Sequence, residues 1–178
     1  MASAISITCA CRQVGLRLSG RHVISVECMC ESCRKAGLLF EGMPGPPVLD
    51  AKGATHFVLY RKDRVACTRG AEHLKAHRLT ANAPTGRVIA TCCNSAMFLD
   101  FSHGHWLSLY GRRWPAGTAP TIEMRTMASD FPGPGRLPTD VQNLQTHSFK
   151  FFAKLISAWA AMGFRSPKVD FVNGPLDG

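Results

Sequence analysis

The sequence predicts a mainly β protein of small antiparallel sheets, joined at cysteine-bearing turns and completed by one C-terminal α-helix. Three observations carry this. Apolar side chains alternate with period two up to residue 101, cysteines cluster where those runs end, and one amphipathic stretch follows residue 138. Ile5, Ile7 and Cys9 share one parity, and Val14, Leu16 and Leu18 repeat it before the Ser19-Gly20 turn. His22–Val26 leads a third strand into Cys28. Arg34-Lys35-Ala36-Gly37 predicts a single helical turn ended by its glycine. Glu41–Pro47, with two glycines and three prolines, reads as a loop. His56–Tyr60 and Leu74–Leu79 are further strands around the charged turn Arg61–Arg64. Arg87–Thr91 runs into Cys92-Cys93, and Met97–Phe101 leads out. Five prolines and three glycines, Pro134 and Gly135 among them, make residues 115–138 a long irregular segment with a packing or functional purpose. Thr139 with Gln142 has the pattern of a capping box, which starts a helix ending near Gly163. Val141, Leu144, Phe152, Leu155, Ile156 and Trp159 form its apolar face, read as packed on the sheet or as a homodimer contact.

The chain has 178 residues, 46% hydrophobic and 19% charged, as expected of one folded domain and not of a disordered or fibrous chain. No apolar run has the roughly 18–20 residues of a membrane helix, and Met1–Thr8 has no secretory pattern. A soluble, cytoplasmic protein with no membrane partner is therefore expected. A formal net charge of +9 suggests an anionic partner.

Eight cysteines in a reducing compartment point to metal before disulfides. Cys9-Ala10-Cys11 is C-x-C, and Cys28-Met29-Cys30-Glu31-Ser32-Cys33 is C-x-C-x-x-C. Sulfurs this close in sequence converge on one ion more easily than they form a disulfide, whose geometry such short segments rarely supply. Zinc at these close-set thiols is therefore expected, and seven of the eight cysteines could bind two such ions as thiolates. Counting the thiolates and the ions lowers the charge to about +6. Nucleic acid is then an unfavoured partner.

Cys9-Ala10-Cys11, Cys28–Gly37 and Cys92-Cys93-Asn94-Ser95 together resemble the glutathione-dependent formaldehyde-activating enzyme family, which includes the centromere protein V type. The similarity covers roughly residues 5–105 and is most specific at C-x-C-x-x-C-R-x-x-G. It implies zinc knuckles in a β fold similar to that of the methionine-R-sulfoxide reductases, with two zinc sites. One is closed and structural, formed by Cys9, Cys11 and a late cysteine pair; the other is a three-cysteine catalytic site of Cys28, Cys30 and Cys33. The implied activity is that of a carbon–sulfur lyase joining formaldehyde to glutathione. The sequence departs from the family in two knuckles. Arg12 stands where a glycine is usual, and Ala90 occupies a cysteine position, so Cys92 supplies the fourth ligand beside Cys93, with Cys67 as the alternative. The C-terminal half carries no family landmark.

Arg34 and Lys35 read as anchors for the carboxylates of a peptide thiol or as solvated charges. His103-Gly104-His105 reads as an exposed turn or a proton-transfer element, Glu27 and Glu31 as proton carriers, and Arg112-Arg113-Trp114 as surface or a stacking platform. His73 and His77 read as neighbours on one strand face without a metal role. Residues 1–112 are expected to form the zinc-binding domain, 113–138 a connecting segment, and 139–178 a helix and tail packed on it. Two other classes compete with the lyase: a non-catalytic zinc module binding nucleic acid or protein, and a thiol redox enzyme using Cys67 or Cys92.

Overall fold

The structure is a computed structural model that describes residues 4–133 and 136–176; Met1–Ser3, Pro134, Gly135, Asp177 and Gly178 lie outside them. Alternation places the early strands where the sequence predicts: β1 (Ile5–Thr8), β2 (Gly15–Leu18) and β3 (Ile24–Cys28). Helix α1 (Glu31–Glu41) follows, then β4 (Thr55–Arg61), β5 (Val65–Arg69), β6 (Leu74–His77), β7 (Thr85–Ala90), β8 (Ser95–Phe101) and β9 (Trp106–Tyr110). Two short strands, β10 (Met124–Thr126) and β11 (Gln142–Asn143), precede helix α2 (Phe149–Ala160). The fold is mainly β with one C-terminal helix, as expected. No helix among the described residues is long and apolar enough to cross a membrane.

One sheet has three strands, in the order β1-β2-β5. The other has eight, in the order β11-β10-β3-β4-β9-β8-β7-β6, and includes two parallel pairs at its β11-β10-β3 end. Alternation along β4 shows how the layers divide. Val58 and Tyr60 pack towards the small sheet with Leu16, Leu18 and Val65, while Phe57 and Leu59 pack towards the helices with Ala36, Phe40 and Leu155. The large sheet therefore has apolar side chains on both faces and is covered on each.

Helix α1 is longer than the single turn expected, because Gly37 does not end it. A Cβ at Gly37 would stand 2.3 Å from Leu49 Cδ2, so the glycine permits close approach of the loop beneath the helix. Cys33, Ala36, Gly37 and Phe40 form its buried stripe. Helix α2 begins nine residues after the expected cap at Thr139. Ser148 Oγ accepts from Phe151 N–H at 3.2 Å, while Gln142 and Asn143 are extended beside β10. The apolar face is also divided differently. Phe151 and Leu155 are buried, whereas Phe149, Phe152 and Ile156 are exposed.

The irregular segment is attached through Arg125. Its side chain is buried against the carboxylate of the equally buried Glu27, and it also donates to Asp140 Oδ1 at 2.9 Å, Pro138 O at 3.0 Å and Asn143 Oδ1 at 3.3 Å. Lys52 Nζ completes the Glu27 site at 3.1 Å. One guanidinium thus binds β3 to the chain beyond β10. Glu27 is a structural counter-ion here and no proton carrier.

Removing one partner strands the other's charge. Arg125→Met should lower unfolding stability by about 3 kcal/mol in a denaturant titration, and the double variant with Glu27→Gln should lose less than Arg125→Met alone. A second expectation concerns acid. Burial holds His56, His77, His105 and His147 below the ordinary histidine value, and His22 as well despite Glu123. The unfolded chain therefore binds more protons than the folded one as pH falls through about 6.5, and stability is lost in that window. The melting temperature should fall from pH 7 to pH 5, with a shallower slope in His105→Gln.

Candidate metal centres

The first centre joins turns from both sheets. Cys9 and Cys11 lie on the β1–β2 turn, and Cys92 and Cys93 on the β7–β8 turn. Arg12 N–H donates to Cys9 O at 3.0 Å and Cys93 N–H to Ala90 O at 3.2 Å, which closes each turn around its thiols. Arg12 (φ 64°) and Asn94 (φ 51°) are left-handed, the conformation a glycine takes most easily, so both turns keep a glycine-like backbone without one. Ser95 Oγ lies between the turns. It accepts from Ala10 N–H at 3.0 Å and from Arg113 at 3.1 Å, and it lies 3.1 Å from Cys93 Sγ.

All eight cysteines are free thiols. Sγ separations are 3.5 Å for Cys9–Cys11, 3.8 Å for Cys9–Cys92, 3.4 Å for Cys11–Cys92 and 4.0 Å for Cys92–Cys93. A tetrahedron with metal–sulfur bonds of about 2.3 Å has edges of about 3.8 Å, so the four sulfurs fit one ion. Cys92, and not Cys67, is the fourth member of this group. Cys67 is elsewhere on β5, donating its thiol to Arg69 O at 3.2 Å, and burial pushes that thiol up, away from the low value of a redox nucleophile. Burial also pushes Cys92 up, whereas the Ser95 hydroxyl and the neighbouring cysteines outweigh burial at Cys93 and bring it to about 6.

The second centre comes from one short segment. β3 delivers Cys28, and Cys30 is the N-cap of α1, its Sγ accepting from Cys33 N–H at 3.3 Å. Cys28 and Cys33 Sγ are 3.9 Å apart, again a tetrahedral edge, and the three sulfurs form a second group able to hold a metal. Hydrogen bonds from the Cys28 and Cys33 thiols hold Cys30 well below the ordinary thiol value, in agreement with its helix N-terminal position. The same contacts push Cys28 up to about 11 and Cys33 well above the ordinary thiol value. Residues 124–130 frame this turn. Met29 N–H donates to Thr126 O at 3.0 Å and Glu31 N–H to Asp130 Oδ2 at 3.1 Å.

Cys28 and Cys33 border a cavity of about 300 Å³ between the large sheet and α2, walled by side chains that include Phe57, Trp106, Ser108, Phe151 and His147. Burial holds His147 below the ordinary histidine value. Sequence reasoning missed this cavity and His147, because the walls come from strands and a helix far apart along the chain. Arg34 donates to Asp130 O at 2.9 Å, and the exposed Lys35 pairs with Glu31 at 2.9 Å; neither lines the cavity.

The other candidates have structural work. His105 is buried and not exposed as expected, and its Nε2–H donates to Leu155 O at 2.8 Å, tying β9 to α2. Arg112 donates to Leu49 O at 2.7 Å and Trp114 is buried, so this triplet offers no stacking platform. Arg21, Arg61, Arg64, Lys150 and Lys154, scattered in sequence, meet along one groove, but Arg61 is paired with Asp63 and Lys154 with Glu123.

No family profile and no curated protein matches the chain. A solved structure of a Rhodobacter sphaeroides protein matches it with a TM-score of 0.47 and 16% identity, over 65% of this chain and 92% of that one.

Metal content should separate the two centres from the lone cysteine. Elemental analysis should give two ions per chain for the unaltered protein and for Cys67→Ser, and fewer than two for Cys92→Ser. If the four-sulfur centre holds a metal, its chelation should lower the melting temperature by many degrees, because that ion would join turns that nothing else links covalently among the described residues.

Proposed function

We propose that the protein is a zinc-dependent enzyme that forms or breaks a carbon–sulfur bond between a small-molecule thiol and an aldehyde, with glutathione and formaldehyde as reference substrates. The observation that carries this reading is three converging thiols, two of which, Cys28 and Cys33, lie on the wall of an apolar cavity. Soft all-sulfur donor sets at tetrahedral spacing suit zinc. Cys9, Cys11, Cys92 and Cys93 would form a closed structural site. Cys28, Cys30 and Cys33 would hold the second ion, which when bound supplies the Lewis acidity that lowers the pKa of an incoming thiol.

The chain's own groups do the rest. The cavity holds thiol and carbonyl side by side. Sulfur attacks the carbonyl carbon, the carbon–sulfur bond forms, and the carbonyl π pair moves to oxygen. The proton released by the thiol ends on that oxygen and gives a hydroxymethyl thioether. His147, neutral at physiological pH and on the cavity wall, is placed to carry the proton between the two atoms. The reverse sequence is lysis.

Thiol-dependent loss of formaldehyde tests the reading. Metal-loaded protein should consume it faster than the uncatalysed reaction. Cys30→Ser, which keeps the four-sulfur centre, should lose at least 100-fold in kcat/KM. Equal rates for the two proteins would refute the assignment.

A further inference from the structure

The cavity wall narrows the class of thiol. It includes the rings of Phe57, Phe101, Trp106, Phe151 and Phe152, and its polar members are the hydroxyls of Thr85, Ser108 and Thr126 and the imidazole of His147, beside Cys28 and Cys33. Among the described residues, no lysine, arginine, aspartate or glutamate lines it. Its volume of about 300 Å³ is at the lower end of the range of about 300–1,000 Å³ for ligand pockets.

Arg34, Lys35 and Arg87 are not among the residues that line the cavity. Arg34 and Lys35 are held as described above. Arg87 is almost fully buried and has no carboxylate partner among the described residues; it donates to Ser32 O at 3.2 Å and to Thr85 Oγ1 at 3.4 Å. A tripeptide thiol has two carboxylates and an ammonium, and nothing on this wall pairs with them. Placing unpaired charges against aromatic rings is costly, whereas an uncharged ring or branched alkyl group gains by leaving water.

We propose that this site selects a thiol, or the thioether that releases it, whose body is a compact aromatic or branched aliphatic group without charge. The inference rests on the reading of Cys28, Cys30 and Cys33 in the previous subsection and deepens it by naming the substrate class. The reaction balances as before: the apolar thiol adds to the carbonyl carbon and its proton passes to the oxygen.

Cobalt-loaded protein allows binding to be read apart from turnover, because a thiol reaching the metal changes the visible spectrum. Phenylmethanethiol should change it with a dissociation constant at least tenfold lower than that of glutathione. Zinc-loaded protein should show the same order in kcat/KM for formaldehyde loss. Ser108→Phe, which fills the cavity, should weaken phenylmethanethiol at least tenfold with two metals per chain retained. Phe152→Arg, at a half-exposed position on α2, should narrow the gap between the two thiols at least threefold. Binding of glutathione equal to or tighter than phenylmethanethiol overturns this inference and leaves the adduct chemistry in place. Tight binding of phenylmethanethiol without formaldehyde loss with either thiol overturns the adduct chemistry and leaves the selectivity standing. No spectral response to either thiol overturns both.

Discussion

The buried pair of Glu27 and Arg125 is the interaction on which the arrangement around Cys28 depends. Two opposite charges removed from water must remain together, and here they are one residue before the first sulfur of the three-thiol group and one residue before Thr126 on the neighbouring strand. The parallel pairing of β10 with β3 carries that constraint forward. Met29 N–H finds its acceptor in the backbone carbonyl of Thr126, and Glu31 N–H in the side-chain carboxylate of Asp130. A segment rich in proline and glycine has little regular structure of its own. It gains a fixed path by binding one guanidinium through Pro138, Asp140 and Asn143.

The two sulfur groups are built by opposite strategies. Three thiols arise within six residues, at the junction of a strand and a helix whose first turn directs amide hydrogens at one of them. Local backbone geometry largely determines their spacing. The four-thiol group has no such local origin. Its two turns each need a left-handed residue, and Ser95 adds hydrogen bonds between them. One group therefore belongs to a single secondary-structure junction beside a cavity, and the other to the contact between two sheets.

The sequence makes the strands legible wherever one face or both are apolar, since side-chain parity alone defines them in β1 to β4. The three-thiol group is legible as well, because C-x-C-x-x-C is a local spacing, whereas the joining of Cys9 and Cys11 to Cys92 and Cys93 followed only from the family resemblance; the structure brings those four together and leaves Cys67 apart. Tertiary partners explain what was misread. Gly37 resembles a helix stop until Leu49 is seen beneath it. Thr139 and Gln142 resemble a helix start, but Arg125 holds that stretch extended and Ser148 caps the helix instead. β5, β9 and β10 also escaped the reading. β10 is three residues long and takes its conformation from β3, which no periodicity within it could reveal. The cavity is the extreme case, since its walls span residues 26 to 155.

The separation of Cys9 from Cys92 along the chain has a consequence for biosynthesis. The paired sulfurs are 83 residues apart. A ribosome that has released only the first sheet's opening strands presents two thiols of the four, a weak and exchangeable chelator. The remaining two emerge only after most of both sheets has been made, and closing so long a loop by random search is entropically costly. A four-thiol group at this junction is therefore complete only late in the synthesis of the chain, and a copy truncated before residue 92 lacks half of it.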